Sequence, residues 1–294
     1  MLRAVLMHTG GDVLNNESDD AEDSMSLPSD VDAEDCWSLP SDAEDSMSLP
    51  DDIDHDEGDG YDSLGSHDIA EVFSPPRVVP VAQSEGLRGN WSFDLDTGYD
   101  LTLDSSQSAM WEIIETSKPK VVIISPPCTF YSSANRVWNR GRIPPAEWER
   151  RRVHADTMLH LAMQICQYQH DRRAGFVFEH PSGASSWTDS EVEIVKNLPG
   201  VRRVIFDGCA VGHVTKVDRF PVKKSTALLT NIPAVVEQFT NIKCRCRVQM
   251  IDGKMKKHRV IMGSEGGMSR SRFSQVYPMP MVRLLVAAIR SYVS

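Results

Sequence analysis

The sequence predicts a doubly wound, mostly parallel α/β domain, residues 69–294, behind a disordered acidic segment, residues 1–68. Three observations predict it. Apolar runs alternate with stretches of helical spacing from residue 69 to residue 206, the order that lays parallel strands side by side. One run, Val121–Ile124, is unbroken and β-branched, as in a strand buried on both faces. Charge divides the chain: residues 1–70 hold 21 Asp/Glu against one Arg, a net of −20, and residues 71–294 hold 30 Lys/Arg against 21 Asp/Glu, a net of +9.

In chain order, Ile69–Phe73 (IAEVF) is the first candidate strand, ended by Pro75 and Pro76. Val78–Gly86 is a short helix. Asn90–Leu95 alternates apolar and polar residues as a second strand and runs into Asp94 and Asp96. Ser105–Ser117 places Ala109, Met110, Ile113 and Ile114 at helical spacing. Val121–Ile124 follows, stopped by Pro126 and Pro127, which have no amide hydrogen for a ladder. Trp148–His170 is a long helix, Phe176–Phe178 a strand, Asp189–Leu198 a helix and Val201–Phe206 a strand. Met281–Ile289 is a closing apolar helix.

About 224 residues are ample for one core. The longest apolar runs fall far short of the roughly 20 residues of a spanning helix, so no membrane partner is expected. Six cysteines without a secretory signal read as reduced thiols in a soluble intracellular protein. Nuclear and cytoplasmic residence are not distinguished. The acidic segment repeats AEDSMSLP, AEDCWSLP and AEDSMSLP from Ala21, Ala33 and Ala43. With so much like charge and little to bury it reads as a solvating spacer grown by duplication. The alternative is a linear motif shown three times to a protein partner, so that the chain acts as an adaptor.

Cys128 sits just past the carboxyl end of the Val121–Ile124 strand, where α/β folds bind their ligands. A lone cysteine there is most often a small buried filler. The surrounding Pro126-Pro127-Cys128-Thr129-Phe130-Tyr131-Ser132, however, resembles the Pro-Cys motif PPCxxFS of DNA cytosine-5 methyltransferases, with Tyr131 in place of phenylalanine. The resemblance implies a Rossmann-like methyltransferase sheet and S-adenosylmethionine (SAM) at the ends of the first two strands. Glu71-Val72-Phe73-Ser74 is similar to a displaced Asp-Leu-Phe-x-Gly-x-Gly motif, its glycines replaced by Pro75 and Pro76. Asp94 or Asp96 then matches the acid that accepts the ribose hydroxyls, and Asp100 the acid near the adenine amino group. Pro126 completes the expected cofactor set of Glu71, Phe73, Ser74, Asp94, Asp96, Asp100 and Pro126. Only one strand separates the first strand from the cysteine strand, where the family has two.

Later motifs follow in family order. Phe178-Glu179-His180-Pro181 resembles the Glu-Asn-Val motif, and Arg202 or Arg203 the arginines of Gln-x-Arg-x-Arg. Gln275-Val276-Tyr277-Pro278 before the last helix resembles the closing Asn-x-Val-Pro motif. In such chemistry a thiolate adds to carbon 6 of cytosine and makes carbon 5 nucleophilic. The resemblance implies Cys128 as nucleophile, Glu179 on the ring nitrogen and Arg203 on the base carbonyl or the glutamate. A flipped-out base is required in duplex DNA. Cys128 should have a lowered pKa, through a following helix start or Arg136. An amino-methyltransferase uses Asp/Asn/Ser-Pro-Pro followed by an aromatic ring; Ser125-Pro126-Pro127 fits, but Cys128 holds the ring position.

Residues 207–272 carry 13 Lys/Arg against 5 Asp/Glu, a net of +8. They fall where the family places target recognition, a basic insertion for DNA, with RNA as the alternative. Lys223, Lys224, Arg245, Arg247, Lys256, Lys257 and Arg259 are the expected phosphate contacts. A solvated basic face is the plainer reading. Cys244-x-Cys246 with His258 could ligate zinc if Cys209 or His213 supplied a fourth ligand. Separate, unrelated residues are the preferred reading, and no metal site is assigned. Alongside the enzyme stands an inactive relative that keeps the fold and binds nucleic acid. Similar Ser-Pro-Pro-Cys domains resemble pieces of mobile-element polyproteins.

Overall fold

The computed structural model describes residues 67–132, 135, 141–251, 253–261, 263–265 and 267–294. The acidic repeats and Arg136 lie outside the described residues. Within them the chain runs β1 (Ile69–Val72), α1 (Val78–Ser84), β2 (Gly89–Phe93), α2 (Asp104–Ser117), β3 (Val121–Ile124), α3 (Pro145–Asp171) and β4 (Gly175–Pro181). It continues through α4 (Ser190–Lys196), β5 (Arg202–Asp207), β6 (Ser225–Thr230) and α5 (Pro233–Thr240). Two small hairpins, β7 (Gln249–Ile251) with β8 (Lys254–Lys256) and β9 (Ser264–Glu265) with β10 (Met268–Ser269), precede α6 (Arg270–Phe273) and α7 (Met279–Val293).

Six strands form one sheet in the order β2-β1-β3-β4-β6-β5. β1 to β4 are parallel, and β6 runs antiparallel to both neighbours. The fold class is therefore α/β with a mostly parallel sheet. β3 explains the two-sided burial. Val122 and Ile124 point into a core shared with Met110, Ile114, Leu159 and Phe178. Val121 and Ile123 point into a second core with Val78, Phe239, Leu285 and Val286. Side chains alternate along a strand, so a run apolar at every position suits a sheet covered on both faces. All four residues are fully buried, and each contributes about 1.5–3 kcal/mol by leaving water.

One strand, β2, lies in sequence between β1 and β3, as the pattern predicts. The basic stretch 207–272 is not a single insertion. It contains β6, which pairs with both β4 and β5 inside the sheet, and α5, whose Val235 and Phe239 are fully buried. Ser225–Thr230 (STALLT) carries threonine as its only β-branched residue, which hides the strand in the sequence. No helix among the described residues is long and apolar enough to cross a membrane.

Candidate functional site

The chain proceeds from β1 outward to β2 and then returns past β1 to β3 and β4, so the strand order reverses between β1 and β3. A crevice outside the carboxyl ends of the strands is expected at such a point. The carboxyl ends there carry Phe73 and Ser74 after β1, Asp94 to Asp100 after β2, and Ser125 to Cys128 after β3.

β3 stops pairing at Ile124, opposite Phe178, because Pro126 and Pro127 break the ladder. β4 continues, since β6 still pairs Glu179 with Leu228 and His180 with Ala227. Glu179 is thus held in regular strand just where the Cys128 loop leaves its own. Tyr131 pins that loop: its hydroxyl donates to Asp156 Oδ1 at 2.8 Å and its carbonyl accepts from the Ser185 amide at 2.9 Å.

Glu179 is buried, and its Oε1 has no hydrogen-bond partner among the described residues. Lys224 Nζ lies 4.0 Å from that oxygen and donates to the Ser274 carbonyl at 3.1 Å. Burial pushes the Glu179 carboxyl above its ordinary value, and the Lys224 charge opposes this. Burial likewise raises the Cys128 thiol; Lys224 pulls it down and Glu179 pushes it up. The resting thiol is therefore protonated at neutral pH, the reverse of the lowered value expected from the sequence. Removal of water from around the sulfur penalises a thiolate more than one lysine favours it. Tyr277 closes the cluster, its hydroxyl 2.6 Å from Ser125 Oγ and its carbonyl accepting from Arg77 Nε at 2.9 Å. Burial keeps that phenol protonated. A thiol, a protonatable carboxyl and a fixed cation together can add to, and neutralise charge on, a polar planar ring.

Arg203 is not brought to this cluster. The register sets Arg203 opposite Leu229 and Leu229 opposite Phe178, so Arg203 lies on the other face from Glu179. Its guanidinium sits 4.0 Å over the Trp187 ring and donates to the Ser182 carbonyl. Arg202 is exposed.

The expected cofactor residues gather at one edge but differ in state. The Glu71 carboxylate is wholly buried and turned toward α1, where Oε2 accepts from the amides of Arg77, Val78 and Val79 at 3.0, 2.9 and 2.8 Å. Oε1 accepts from Ser74 Oγ at 3.2 Å. Glu71 thus satisfies the open end of its own helix. Phe73 takes a left-handed conformation, φ 59°, one that a bulky residue rarely adopts. The turn that glycine would make after β1 is made there, ahead of Pro75 and Pro76. Asp94 caps the turn Leu95–Thr97, accepting from the Asp96 amide at 3.0 Å, while Asp96 is exposed. Asp100 Oδ1 accepts from the amide and hydroxyl of Thr102. Pro126 is buried in the strand-end loop.

Of the expected phosphate contacts, Lys223, Arg245, Arg247 and Lys257 are exposed and Lys256 is half-exposed. Arg259 pairs with Asp218 over the Phe220 ring. Lys224 is turned inward, only 10% exposed, and belongs to the Cys128 cluster instead. Sequence reasoning did not assign site roles to Ser125 and Tyr277; the residues Gln275–Pro278 carried the one signal that could have found the tyrosine.

His180, beside Glu179, is fully buried, its Nδ1 hydrogen-bonded with Ser186 Oγ at 2.6 Å. Burial lowers its pKa to about 3, against 6.5 in an unfolded chain. The unfolded chain binds a proton below pH 6.5 that the folded one refuses, so stability is complete above that pH and falls as pH drops toward 3. Urea unfolding should show His180 costing about 1.4 kcal/mol per pH unit below 6.5. His180→Phe should remove that slope; an unchanged slope would refute the assignment.

Compared with known proteins, the sequence matches no family model, and no curated protein matches it.

Proposed function

We propose that the domain transfers a methyl group from SAM to carbon 5 of cytosine in DNA through a covalent bond to Cys128. The observation that carries this reading is the meeting of Cys128 and Glu179 at the ends of adjacent parallel strands, with Lys224 acting on both. It joins the two motifs whose resemblance to the cytosine-5 enzymes is strongest.

The donor set after β2 fits the cofactor. Asp94, Asp96 and Asp100 offer carboxylate oxygens for ribose hydroxyls and an amino group, and Phe73 offers a half-buried ring at the end of β1. Glu71 is spent on α1 and serves the fold. SAM supplies an electrophilic methyl group. Cys128 sulfur bonds to carbon 6 of the base, and the electron pair of the carbon 5–carbon 6 bond shifts toward carbon 5. Glu179, whose protonated form burial favours, gives its proton to the ring nitrogen as negative charge develops there. The thiol of the part-exposed Cys128 gives its proton to solvent water, and Lys224 favours the thiolate left behind. After methylation solvent water takes the carbon 5 proton, the carbon 5–carbon 6 double bond re-forms as the Cys128–carbon 6 bond breaks, and the ring nitrogen returns its proton to Glu179.

The exposed Lys223, Arg245, Arg247 and Lys257 suit a phosphate backbone, with RNA as the alternative polymer. A second reading, a nucleic-acid binder without transfer activity, is favoured by Pro75 and Pro76 and by a Glu71 that is already fully bonded.

The test is trapping. DNA containing 5-fluorocytosine has no carbon 5 proton to lose, so with labelled SAM the enzyme should remain covalently on the DNA, and Cys128→Ser should not. Absence of an adduct with no SAM bound by calorimetry would leave the second reading. Absence of an adduct with SAM bound would reject cytosine as the substrate.

A further inference from the structure

Three thiols and an imidazole converge at the far edge of the sheet, away from the strand-order reversal. Cys209 stands in the single turn Gly208–Val211 after β5. Cys244 and Cys246 lie in the extended chain between α5 and β7, and His258 follows the β7–β8 hairpin. Their ligand atoms all lie within 4.8 Å of one another, with Cys244 Sγ 3.1 Å from His258 Nε2. All three cysteines are free thiols. We propose that Cys209, Cys244, Cys246 and His258 bind one structural zinc ion.

The geometry suits zinc. Arms of about 2.3 Å to sulfur and 2.0–2.1 Å to nitrogen put neighbouring ligand atoms of a tetrahedron roughly 3.5–3.8 Å apart. Side chains already gathered this closely reach it with small adjustments. Four protein ligands leave no open position, so the site is structural. Three thiolates with one imidazole favour zinc over the harder divalent ions. The Cys244 amide donates to Asp207 Oδ2 at 2.9 Å, and the Cys246 amide points at Cys244 Sγ at 3.4 Å, fixing the ligand loop from outside. Three thiolates and a divalent ion carry a net negative charge, and the exposed Lys243, Arg245, Arg247 and Lys257 are chain neighbours of the ligands Cys244, Cys246 and His258.

A separate observation shows why the segment needs an ion. Between Lys243 and Arg259, Ile251 is the only buried residue among those described, and Met250 and Met255 are more than half exposed. Ordering such a stretch costs roughly 1–2 kcal/mol per residue of backbone entropy, which one buried isoleucine does not offset. Metal binding supplies that free energy and ties the basic hairpin to β5. Between the two candidates for a fourth ligand, Cys209 joins the cluster. His213 is buried against Gly208 instead.

The full chain, purified reduced with zinc present, should carry about one zinc per molecule by atomic emission. Cobalt exchanged into the site should give the visible bands of a tetrahedral thiolate complex. Cys209→Ser, Cys246→Ser and His258→Ala should lose most of the metal. His258→Cys should keep it with an altered cobalt spectrum, which separates ligand loss from failure to fold. Cys128→Ser should retain it fully. Chelation should speed tryptic cleavage between Lys243 and Arg259 by at least about tenfold, since the held segment opens. A zinc-free reduced chain showing no cobalt–thiolate bands, or disulfide bonds among these cysteines in the unreduced native protein, would overturn the proposal.

Discussion

Glu179→Gln should slow single-turnover methyl transfer by about 10²–10⁴-fold, the range for loss of a positioned proton donor. Glutamine keeps the shape of the side chain but cannot give up a proton to the ring nitrogen. Lys224, 4.0 Å away, faces a neutral side chain in both forms, so the charge around the site changes little. The pH profile separates this role from simple packing. Burial raises the Glu179 pKa, so the wild-type rate should fall as pH climbs through that raised value and the carboxyl ionises. The glutamine variant should lack this limb while its SAM affinity stays within a few-fold, as expected when only a transition-state interaction is removed. A rate within tenfold of wild type would remove Glu179 from the chemistry.

Glu71→Leu should destabilise the fold by about 3–5 kcal/mol, from buried amides left without an acceptor at about 1–3 kcal/mol each. The Val78 and Val79 amides are buried donors to this carboxylate, and the Arg77 amide a partly buried one. Glu71→Gln retains an acceptor oxygen of the same reach and should cost well under half as much. Urea midpoints of the two variants measure the difference. The loss is a large share of the 5–15 kcal/mol that holds a domain together. If Glu71→Leu cost less than about 1 kcal/mol, water would be replacing the carboxylate and the helix end would be open to a ligand.

β3 is legible from its sequence because two constraints coincide there: four β-branched residues in a row, then two prolines. The same clarity reaches Cys128 and Glu179, each just beyond a buried apolar run. Arg203 was not legible, because its face depends on the register of β6, and a shift of one residue reverses every side chain. β6 itself was hidden by its Ala-Leu-Leu centre and by the charge around it. Lys223 and Lys224 show the same limit at single-residue scale. Neighbours in extended chain point opposite ways, one to solvent and one to Glu179, and nothing in Lys-Lys says which. The proposed metal ligands fall in separate segments, Cys209 lying 35 residues before Cys244, so their spacing carries little until the fold brings the turn after β5 and the hairpin together.

Tyr277 reaches Ser125 across 152 residues of chain. During synthesis at about 5–20 residues per second, a ribosome needs roughly 8–30 s to travel between them, and longer to release the tyrosine from its exit tunnel. Within that interval β4 is completed before β6, the strand that covers its free edge, and both are completed before α7, the helix that covers one face. Val121, Ile123 and Val177 are then wet, and the unpaired side of β4 is a template for a neighbouring chain. A nascent polypeptide of this architecture is therefore most open to aggregation before β6 and α7 are made, and slow translation downstream of β4 would prolong that exposure.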